Sequence, residues 1–329
     1  MSSGVDLLTF GESMVSLRSA GPLSAGGSLA MHVAGAESNV AVGVARLGHS
    51  VSWAGVIGAD PHGEYILRQL RSEGIHVRHR VDAVRSTGVM FLEQRTADLT
   101  RAFYYRTGSA GSTLSRDDVD LALNAGPRIL HLTGITAALS AEARAAFGYA
   151  AERAAAEGVL VSLDVNYRSR LWTRDEARAV LAPLARHADI LVASDDELDL
   201  VAAAGRGAHP FGGATSDDAE ATVALELLDR GVSEVVVKRG AHGAGVHTAT
   251  GRFETAAVAV TSIDTVGAGD AFTAGYLSAV LDGGDVPARL ERGAVMGAFA
   301  VSTAGDWEGL PGRDELDMLA ATQSGATVR

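Results

Sequence analysis

The residues best suited to chemistry in this 329-residue chain lie in the segment 264–272, whose sequence is DTVGAGDAF. Gly267 and Gly269 leave the peptide N–H groups uncovered, and the apolar run 272–281 predicts a helix that begins at Asp270. A helix start carries about half a unit of positive charge and several unpaired donors, so it favours an anion such as phosphate. A carboxylate at this position would repel phosphate, so its presence suggests a catalytic role. We therefore expect Asp270 to take a proton from an alcohol that attacks the phosphoryl group.

A glycine turn followed by an aspartate is also typical of a plain helix N-terminus, in which Asp270 only caps the helix. The whole segment 264–272, however, matches the signature of the ribokinase-like (PfkB) carbohydrate kinases, and the chain resembles that family over residues 8–311. The resemblance implies that Asp270 is the catalytic base and that the amides of Gly267, Ala268 and Gly269 stabilise charge on the transferring group. It implies ATP and Mg²⁺ as cofactors and leaves open whether a monovalent cation such as K⁺ is required.

The elements that must position these residues follow a β/α alternation. Four short apolar runs are typical of parallel strands buried on both faces: 129–132, 159–163, 190–192 and 235–237. Ala-rich helical stretches lie between them. In agreement with the resemblance, we predict an α/β fold with a ribokinase-like, doubly wound, mostly parallel sheet and helices on both faces. It forms a single domain over residues 1–329.

Three further runs rich in β-formers follow one another without intervening helices: 77–81, 87–93 and 102–106. They predict a small sheet set apart from the main one, and in the resemblance such strands form a lid over the sugar. We place the lid in two insertions, within residues 12–34 and 76–108. Lid strands in this family often pair between subunits, so we expect a homo-oligomer through the lid. The passage 205–216 is expected to be a surface loop.

The segment 238–243, KRGAHG, directly follows a buried run, so its glycines fall at the carboxyl end of a strand, where open α/β sheets bind ligands. A strand followed by a Gly turn is commonplace as structure alone. The resemblance places five residues along ATP: Lys238, Gly240, Gly243, Gly267 and Gly269. The chain has neither a GxxxxGK[ST] motif nor a dinucleotide fingerprint, which argues against a P-loop fold and an NAD enzyme.

The tetrapeptide SDDE at 194–197 lies where the family usually has Asn-x-x-Glu. The resemblance implies that Glu197 helps to hold Mg²⁺ and its waters near the phosphates, because Mg²⁺ prefers carboxylate and water oxygens. Ser194 departs from the family pattern and is placed on the nucleotide side. The alternative interpretation is an acid-rich helix start that complements the helix dipole.

Two arginine-bearing segments bear on the substrate: 164–172, DVNYRSRLW, and 103–111, FYYRTGSAG. Both resemble the 2-keto-3-deoxygluconate kinases of the family. An arginine fork pairs with a carboxylate through two parallel bonds, which an uncharged sugar cannot exploit, so Arg106 and Arg168 suggest a sugar acid. Either arginine can instead pair with a local carboxylate such as Asp164.

The resemblance also implies a set of substrate-binding residues: Gly35, Asn39, Tyr104, Arg106, Asn166, Arg168, Asp270 and Asp306. Taken as structure only, Asn39 is compatible with a helix cap and Asp306 with a Gly-Asp turn. Ribokinases and many fructokinases carry an aspartate shortly after the first-strand glycine, and we place Val15 at that position. The absence of that aspartate removes a negative charge that would repel a carboxylate substrate.

The expected reaction is therefore transfer of the γ-phosphoryl group of ATP to the 6-hydroxyl of 2-keto-3-deoxygluconate. Two alternatives stay open: a kinase of a neutral sugar such as fructose or ribose, and a non-catalytic sugar sensor that kept the fold. The partners are the sugar acid and ATP.

The composition excludes other classes of function. A formal charge of −12 argues against a nucleic-acid partner, and zero cysteines exclude disulfides and thiolate chemistry. No apolar run approaches the roughly 20 residues of a membrane span, and the N-terminus lacks a secretion signal, so we expect no membrane partner and a cytoplasmic protein.

Overall fold

The computed structural model describes residues 4–96, 99–202 and 217–319. The strands in this part of the chain are β1 (Leu7–Phe10), β2 (Met14–Ser19), β3 (Ala30–Ala34), β4 (Val51–Gly58), β5 (His76–Asp82), β6 (Val89–Thr96), β7 (Leu99–Tyr105), β8 (Ile129–Thr133), β9 (Leu160–Asp164), β10 (Ile190–Ser194), β11 (Glu234–Lys238), β12 (Ala244–Thr248) and β13 (Gly251–Thr255). The helices are α1 (Ala36–Arg46), α2 (Pro61–Ser72), α3 (Arg116–Leu123), α4 (Gly134–Leu139), α5 (Ala141–Ala156), α6 (Arg174–Leu184), α7 (Asp217–Asp229), α8 (Ala268–Leu281) and α9 (Val286–Val301).

The main sheet has nine strands in the order β13-β12-β11-β10-β9-β8-β1-β4-β5. The four apolar runs predicted as buried parallel strands are β8 to β11, and they pair side by side in parallel. The hairpin of β12 and β13 extends one edge in the antiparallel sense. The predicted doubly wound, mostly parallel sheet is therefore confirmed.

Helices cover both faces of this sheet, and each face has its own hydrophobic core. One core joins the even-numbered side chains of β1, such as Leu8, to helices α3 to α7. The other joins Leu7 and Trp53 to helices α1, α2, α8 and α9. Alternate residues of a strand point to opposite faces, so continuously apolar strands supply both cores at once.

Helices α2, α3, α5, α6 and α9 begin with polar caps: Asp60, Ser115, Ser140, Thr173 and Asp285 each accept a bond from a backbone N–H of the first turn. Helices α1 and α8 instead begin at Gly35 and Gly267, where no side chain caps the helix. Their first amides are therefore left for another acceptor.

A separate four-stranded sheet, in the order β3-β2-β6-β7, forms the lid. Its inner face is a small apolar cluster in which Met14, Ala34, Met90 and Leu92 are buried. The expected lid strands at 87–93 and 102–106 correspond to β6 and β7.

The placement of the run 77–81 in the lid was wrong. This run is β5, which pairs in parallel with β4 at the edge of the main sheet. Strand β4, helix α2 and β5 thus form an ordinary β/α/β unit. The alternating charges of β5, exposed at most positions, are typical of an edge strand, and they concealed its membership of the main sheet.

Within the described residues, none of the helices combines the length and the apolar character needed to cross a bilayer. The passage 205–216, expected to be a surface loop, lies outside the described residues.

Candidate active site

A cleft of about 970 Å³ lies at the carboxyl ends of the central strands, beneath the lid. Glu12 follows β1, Asn166 follows β9, and Lys238 ends β11, while Tyr104 of the lid strand β7 lines the opposite side. The chain leaves β1 in opposite directions toward β4 and β8, and such a switch point is where open α/β sheets bind ligands. The volume suits a ligand of nucleotide or sugar size.

The start of α8 presents unpaired amides to this cleft. Gly267 is the N-cap with φ of 76°, and the helix begins at Ala268, two residues before the predicted start at Asp270. In the described part of the chain, the N–H groups of Gly267, Gly269 and Asp270 have no acceptor, and that of Ala268 has only a long contact of 3.4 Å to the Thr265 carbonyl. A Cβ at position 267 would lie 2.2 Å from the Asp306 carbonyl, so only glycine fits this turn.

Asp270 is buried at the floor of the cleft, and two carboxamides fix its carboxylate. Asn39 Nδ2 donates to Oδ2 at 2.8 Å, and Asn166 Nδ2 donates to Oδ1 at 3.3 Å. Burial raises the pKa of Asp270, opposed by the Asn39 bond and the charge of Arg168. Asn166 has φ of 40°, a left-handed conformation that is costly outside glycine and that aims its amide at Asp270.

Lys238 lies beside these amides with a carboxylate partner. Its Nζ is 2.7 Å from Asp164 Oδ2 and 3.4 Å from where a Cβ on Gly269 would stand. Thr273 of α8 donates to the same Asp164 oxygen at 3.1 Å, which ties the helix to the end of β9. Burial alone would lower the pKa of Lys238, but Asp164 and Glu197 outweigh it and raise that pKa, so the ammonium is charged. An anion at the start of α8 would meet this charge.

Glu197 uses both carboxylate oxygens to order the surrounding loops. Oε1 accepts from the amide of Tyr167 at 2.7 Å and Oε2 from that of Ser194 at 3.0 Å. Burial, reinforced by Asp164, raises the pKa of Glu197. Each oxygen keeps a further lone pair, and Oδ1 of Asp164 is buried with no hydrogen-bond partner in the described residues. This set of carboxylate oxygens in a cleft suits Mg²⁺.

Arg106 and Arg168 both line the cleft, but their environments differ. Arg106 is paired with Glu12: Nε donates to Oε2 at 2.7 Å, and Ser109 donates its hydroxyl to the other oxygen. Arg168 is exposed and, within the described residues, makes no hydrogen bond or ion pair. Its neighbour Arg170 donates to the Ala102 carbonyl of the lid at 3.0 Å. Arg106 follows the alternative in which an arginine pairs with a local carboxylate, although its partner is Glu12 and not Asp164, which pairs with Lys238.

Asp306 lines the cleft and pairs with an arginine of the lid. Its Oδ1 is 2.8 Å from Nη2 of Arg18, which reaches over from lid strand β2. Burial raises the pKa of Asp306 to about 6, although Arg18 opposes that rise.

The structure brings nearly all of the predicted site residues into one cleft: Gly35, Asn39, Tyr104, Arg106, Asn166, Arg168, Ser194, Glu197, Lys238, Gly240, Gly267, Gly269, Asp270 and Asp306. Ala268 and Gly243 do not line it. A Cβ at position 243 would lie 2.0 Å from the Thr255 carbonyl oxygen, so the β11–β12 turn requires glycine here for steric reasons.

Four charged residues of the site were missed. Glu12 lies two residues after β1 and Asp164 ends β9, positions that could have marked them. Glu37 is fully buried, where Thr133 and Thr136 each donate to Oε1 at 2.6 Å. Arg18 lies in a strand with no motif around it, so nothing in the sequence indicated its role.

The inference from Val15 was wrong. Val15 is fully buried on the outer face of β2, in the core beside α1 and α2, and it does not line the cleft. The acid of this region is Glu12, and its charge is already matched by Arg106.

Comparisons with known proteins agree with this geometry. Residues 6–313 match the model of the pfkB family carbohydrate kinases. The chain is 33% identical to the 2-dehydro-3-deoxygluconokinase of Bacillus subtilis (strain 168), over 97% of this chain and 96% of that protein.

Two solved structures extend the likeness to three dimensions. A PfkB protein from Polaromonas sp. JS666 superposes with a TM-score of 0.81 at 37% identity, covering 95% of this chain and 99% of that one. The aminoimidazole riboside kinase from Salmonella enterica, complexed with aminoimidazole riboside and an ATP analog, superposes with a TM-score of 0.78 at 27% identity, covering 95% and 99%. With a family match that spans the glycine turn at the start of α8 and the whole cleft, the chain belongs to the pfkB family and is a carbohydrate kinase.

Proposed function

We propose that the protein transfers the γ-phosphoryl group of ATP to the 6-hydroxyl of 2-keto-3-deoxygluconate, the same compound as 2-dehydro-3-deoxygluconate. The observation that carries the proposal is the buried Asp270 carboxylate beside the unpaired amides of Gly267 and Gly269. A base next to an anion-binding turn serves an alcohol that attacks phosphorus. Because the reaction consumes ATP, we assign it to the cytoplasm.

In this mechanism Asp270 takes the proton of the 6-hydroxyl, while Asn39 and Asn166 hold its carboxylate toward the cleft. The oxygen of the sugar then attacks the γ-phosphorus, and ADP leaves. The amides at the start of α8 stabilise charge on the transferring group, a contribution that preorganised donors make without reorganisation. Lys238 adds a full positive charge at the same place.

Mg²⁺ would be held by Glu197 and Asp164, with waters and the phosphates supplying the other ligands. When bound, it neutralises phosphate charge. In the described residues no group of three or more carboxylates and imidazoles forms a metal cage, and Mg²⁺ typically needs only one or two protein carboxylates. Ser194 and Gly240 line the nucleotide end of the cleft in this assignment. A requirement for K⁺ is decided by omitting K⁺ from the assay.

The acid group of the substrate is assigned to Arg168. Of the basic side chains that line the cleft, Lys238 and Arg106 already have carboxylate partners, and Arg170 bonds to a lid carbonyl. Arg168 is the one whose fork has no such partner among the described residues. A guanidinium that lines the cleft without a carboxylate partner favours an anionic ligand.

The remaining sugar contacts come from other polar groups of the cleft. Asn39 Oδ1 is buried and has no hydrogen-bond partner in the described part of the chain, so it can accept from a sugar hydroxyl. Gly35, Tyr104 and Asp306 line the same cleft.

A kinase of a neutral sugar is the second candidate, favoured by one observation. The pairing of Arg106 with Glu12 removes one of the two cations on which the sugar-acid assignment was based. A neutral sugar would use the Glu12 and Asp306 carboxylates as hydroxyl acceptors instead.

One assay separates these candidates. ADP release is measured with 2-keto-3-deoxygluconate, its galactonate epimer, fructose and ribose, and the product phosphate is located by ³¹P NMR. We expect kcat/KM to be highest for a sugar acid, with a 6-phosphate product. A preference for fructose or ribose would overturn the substrate assignment and leave the kinase. A lack of phosphoryl transfer to any sugar would favour the non-catalytic sugar sensor.

The lid supports pairing with a second copy of the chain. Its edge strands are β3 and β7, and they expose Met31, Leu99 and Tyr105 at 42%, 50% and 68%. Exposed edges with apolar side chains favour strand pairing between chains. Light scattering at assay concentrations is expected to give twice the monomer mass, and a monomer mass would contradict the pairing.

A further inference from the structure

Arg18 of lid strand β2 joins two distant loops that flank the anion-binding turn. Its Nη1 is 2.5 Å from Asp264 Oδ2, and its Nη2 is 2.8 Å from Asp306 Oδ1. The arginine side chain is only 16% exposed and does not line the cleft. It therefore acts on the site through the two aspartates and not by touching a ligand.

Asp264 passes this contact to the anion-binding turn. Its Oδ1 accepts from the amide of Val266 at 3.0 Å, one residue before the N-cap of α8. On the other side, the carbonyl of Asp306 packs against Gly267 so closely that no Cβ fits between them. Both partners of Arg18 thus touch the turn whose amides face the cleft.

Arg18 bridges two carboxylates, and its positive charge holds them together. The carboxylates of Asp264 and Asp306 share the guanidinium of Arg18, and among the described residues neither has another ion-pair partner. A planar fork can hold both carboxylates at fixed positions, whereas a lysine ammonium is a point charge on a flexible stem. A second lid contact, His32 to Glu308 at 2.7 Å, reaches the same C-terminal loop.

We propose that Arg18 is a positioning residue that couples the seating of the lid to the shape of the anion-binding turn, through Asp264 and Asp306. The kinetic part of this proposal rests on the proposed kinase function. The structural part does not, because the turn can be observed without any substrate.

The test compares Arg18→Met and Arg18→Lys with Arg101→Met. Arg101 is a matched control, since it is also a lid arginine with a carboxylate partner, but that partner is Glu93 within the lid itself. Hydrogen exchange is followed at the amides of Val266 and Ala271, which are hydrogen bonded to Asp264 and to the Gly267 carbonyl. These rates are measured on the ligand-free protein.

In Arg18→Met we expect both amides to exchange about tenfold faster or more, and kcat to fall by a similar factor, because charge-assisted bonds have been lost. Arg18→Lys should recover part of both effects, and added guanidinium should restore part of the activity of Arg18→Met. Arg101→Met should match the parent protein in both measurements.

Unchanged exchange at Val266 and Ala271 in a folded Arg18→Met would overturn the coupling, as would kcat within about twofold of the parent. If Arg18→Met fails to fold, Arg18→Lys decides, and full parental exchange and kcat in that variant would overturn the need for a fork. If the parent phosphorylates no sugar, the proposed function fails, and the exchange rates still decide whether Arg18 orders the turn.

Discussion

Glu12 holds the guanidinium of Arg106 inside the cleft, with Oε2 at 2.7 Å from Nε and 2.5 Å from Nη2. Both side chains are nearly buried, at 1% and 9% exposure. The pair joins the loop after β1 to the end of lid strand β7. The pair neutralises Arg106, which the sequence alone suggested as a partner of the substrate carboxylate.

Replacing Glu12 with Gln should therefore lower the stability of the protein and raise its preference for a sugar acid. Removing one partner of a buried ion pair leaves the other charge uncompensated, and we expect a loss of about 3 kcal/mol in the free energy of unfolding. The freed charge of Arg106 should at the same time raise the kcat/KM ratio of sugar acid to neutral sugar. Urea denaturation and paired kinetics measure the two effects, and a fall in that ratio would contradict this account of Arg106.

This pair shows why the sequence predicted which residues meet but not how their charges are shared. Continuous apolar runs fix the strand positions, and the carboxyl ends of parallel strands must meet at one edge, so the gathering of Asn166, Ser194 and Lys238 followed from local pattern. The partner of Arg106 depends on how the lid packs on the loop after β1, and the partner of Lys238 depends on the order of the strands in the main sheet. That is a property of tertiary packing, with separations of 94 residues for Glu12 and Arg106 and 74 for Asp164 and Lys238.

The lid was the least predictable part for a related reason. Strand β5 and the lid strands follow one another along the chain with similar composition, and only the pairing partner separates them. Arg18 stands in β2 without a neighbouring motif, and its two aspartates are 246 and 288 residues away. No local sequence pattern can predict contacts between residues so far apart in the chain.

Replacing Arg168 with Ala should harm a sugar acid far more than a neutral sugar. A fork paired with a carboxylate contributes about 1.5 to 3 kcal/mol, so kcat/KM for the acid should fall by about tenfold or more. Arg170→Ala is the matched control, because Arg170 lines the same loop but donates to the lid carbonyl of Ala102. Equal losses on acid and neutral sugars in Arg168→Ala would argue against direct pairing with the carboxylate.

Replacing Asp270 with Asn should remove catalysis and keep the fold. A positioned base contributes about 10² to 10⁴ in rate, and kcat should fall by at least that order. The amide keeps one oxygen to accept from Asn39, so ATP binding by calorimetry and the melting temperature should stay close to those of the parent. Turnover at the parental rate would remove Asp270 from the role of base.

The dependence of kcat/KM on pH should have an acid limb that reports Asp270 and Asp306 together. Burial raises the pKa of Asp270 above its usual range and the pKa of Asp306 to about 6. A base must be deprotonated, so activity is present above these values and is lost as the pH falls through them. The two carboxyls lie in one cleft, and the limb therefore gives apparent values that belong to the pair.

Two variants test which carboxyl group gives rise to the acid limb of the pH profile. The positive charge of Arg168 lowers the pKa of Asp270, so Arg168→Ala should move the limb to higher pH. Asp306→Asn removes one titrating group and should leave a simpler limb that reports Asp270 alone. Profiles measured with saturating ATP and limiting sugar check both shifts. A limb that stays in place in Arg168→Ala, or moves to lower pH, would show that Asp270 does not titrate beside that guanidinium in the working enzyme.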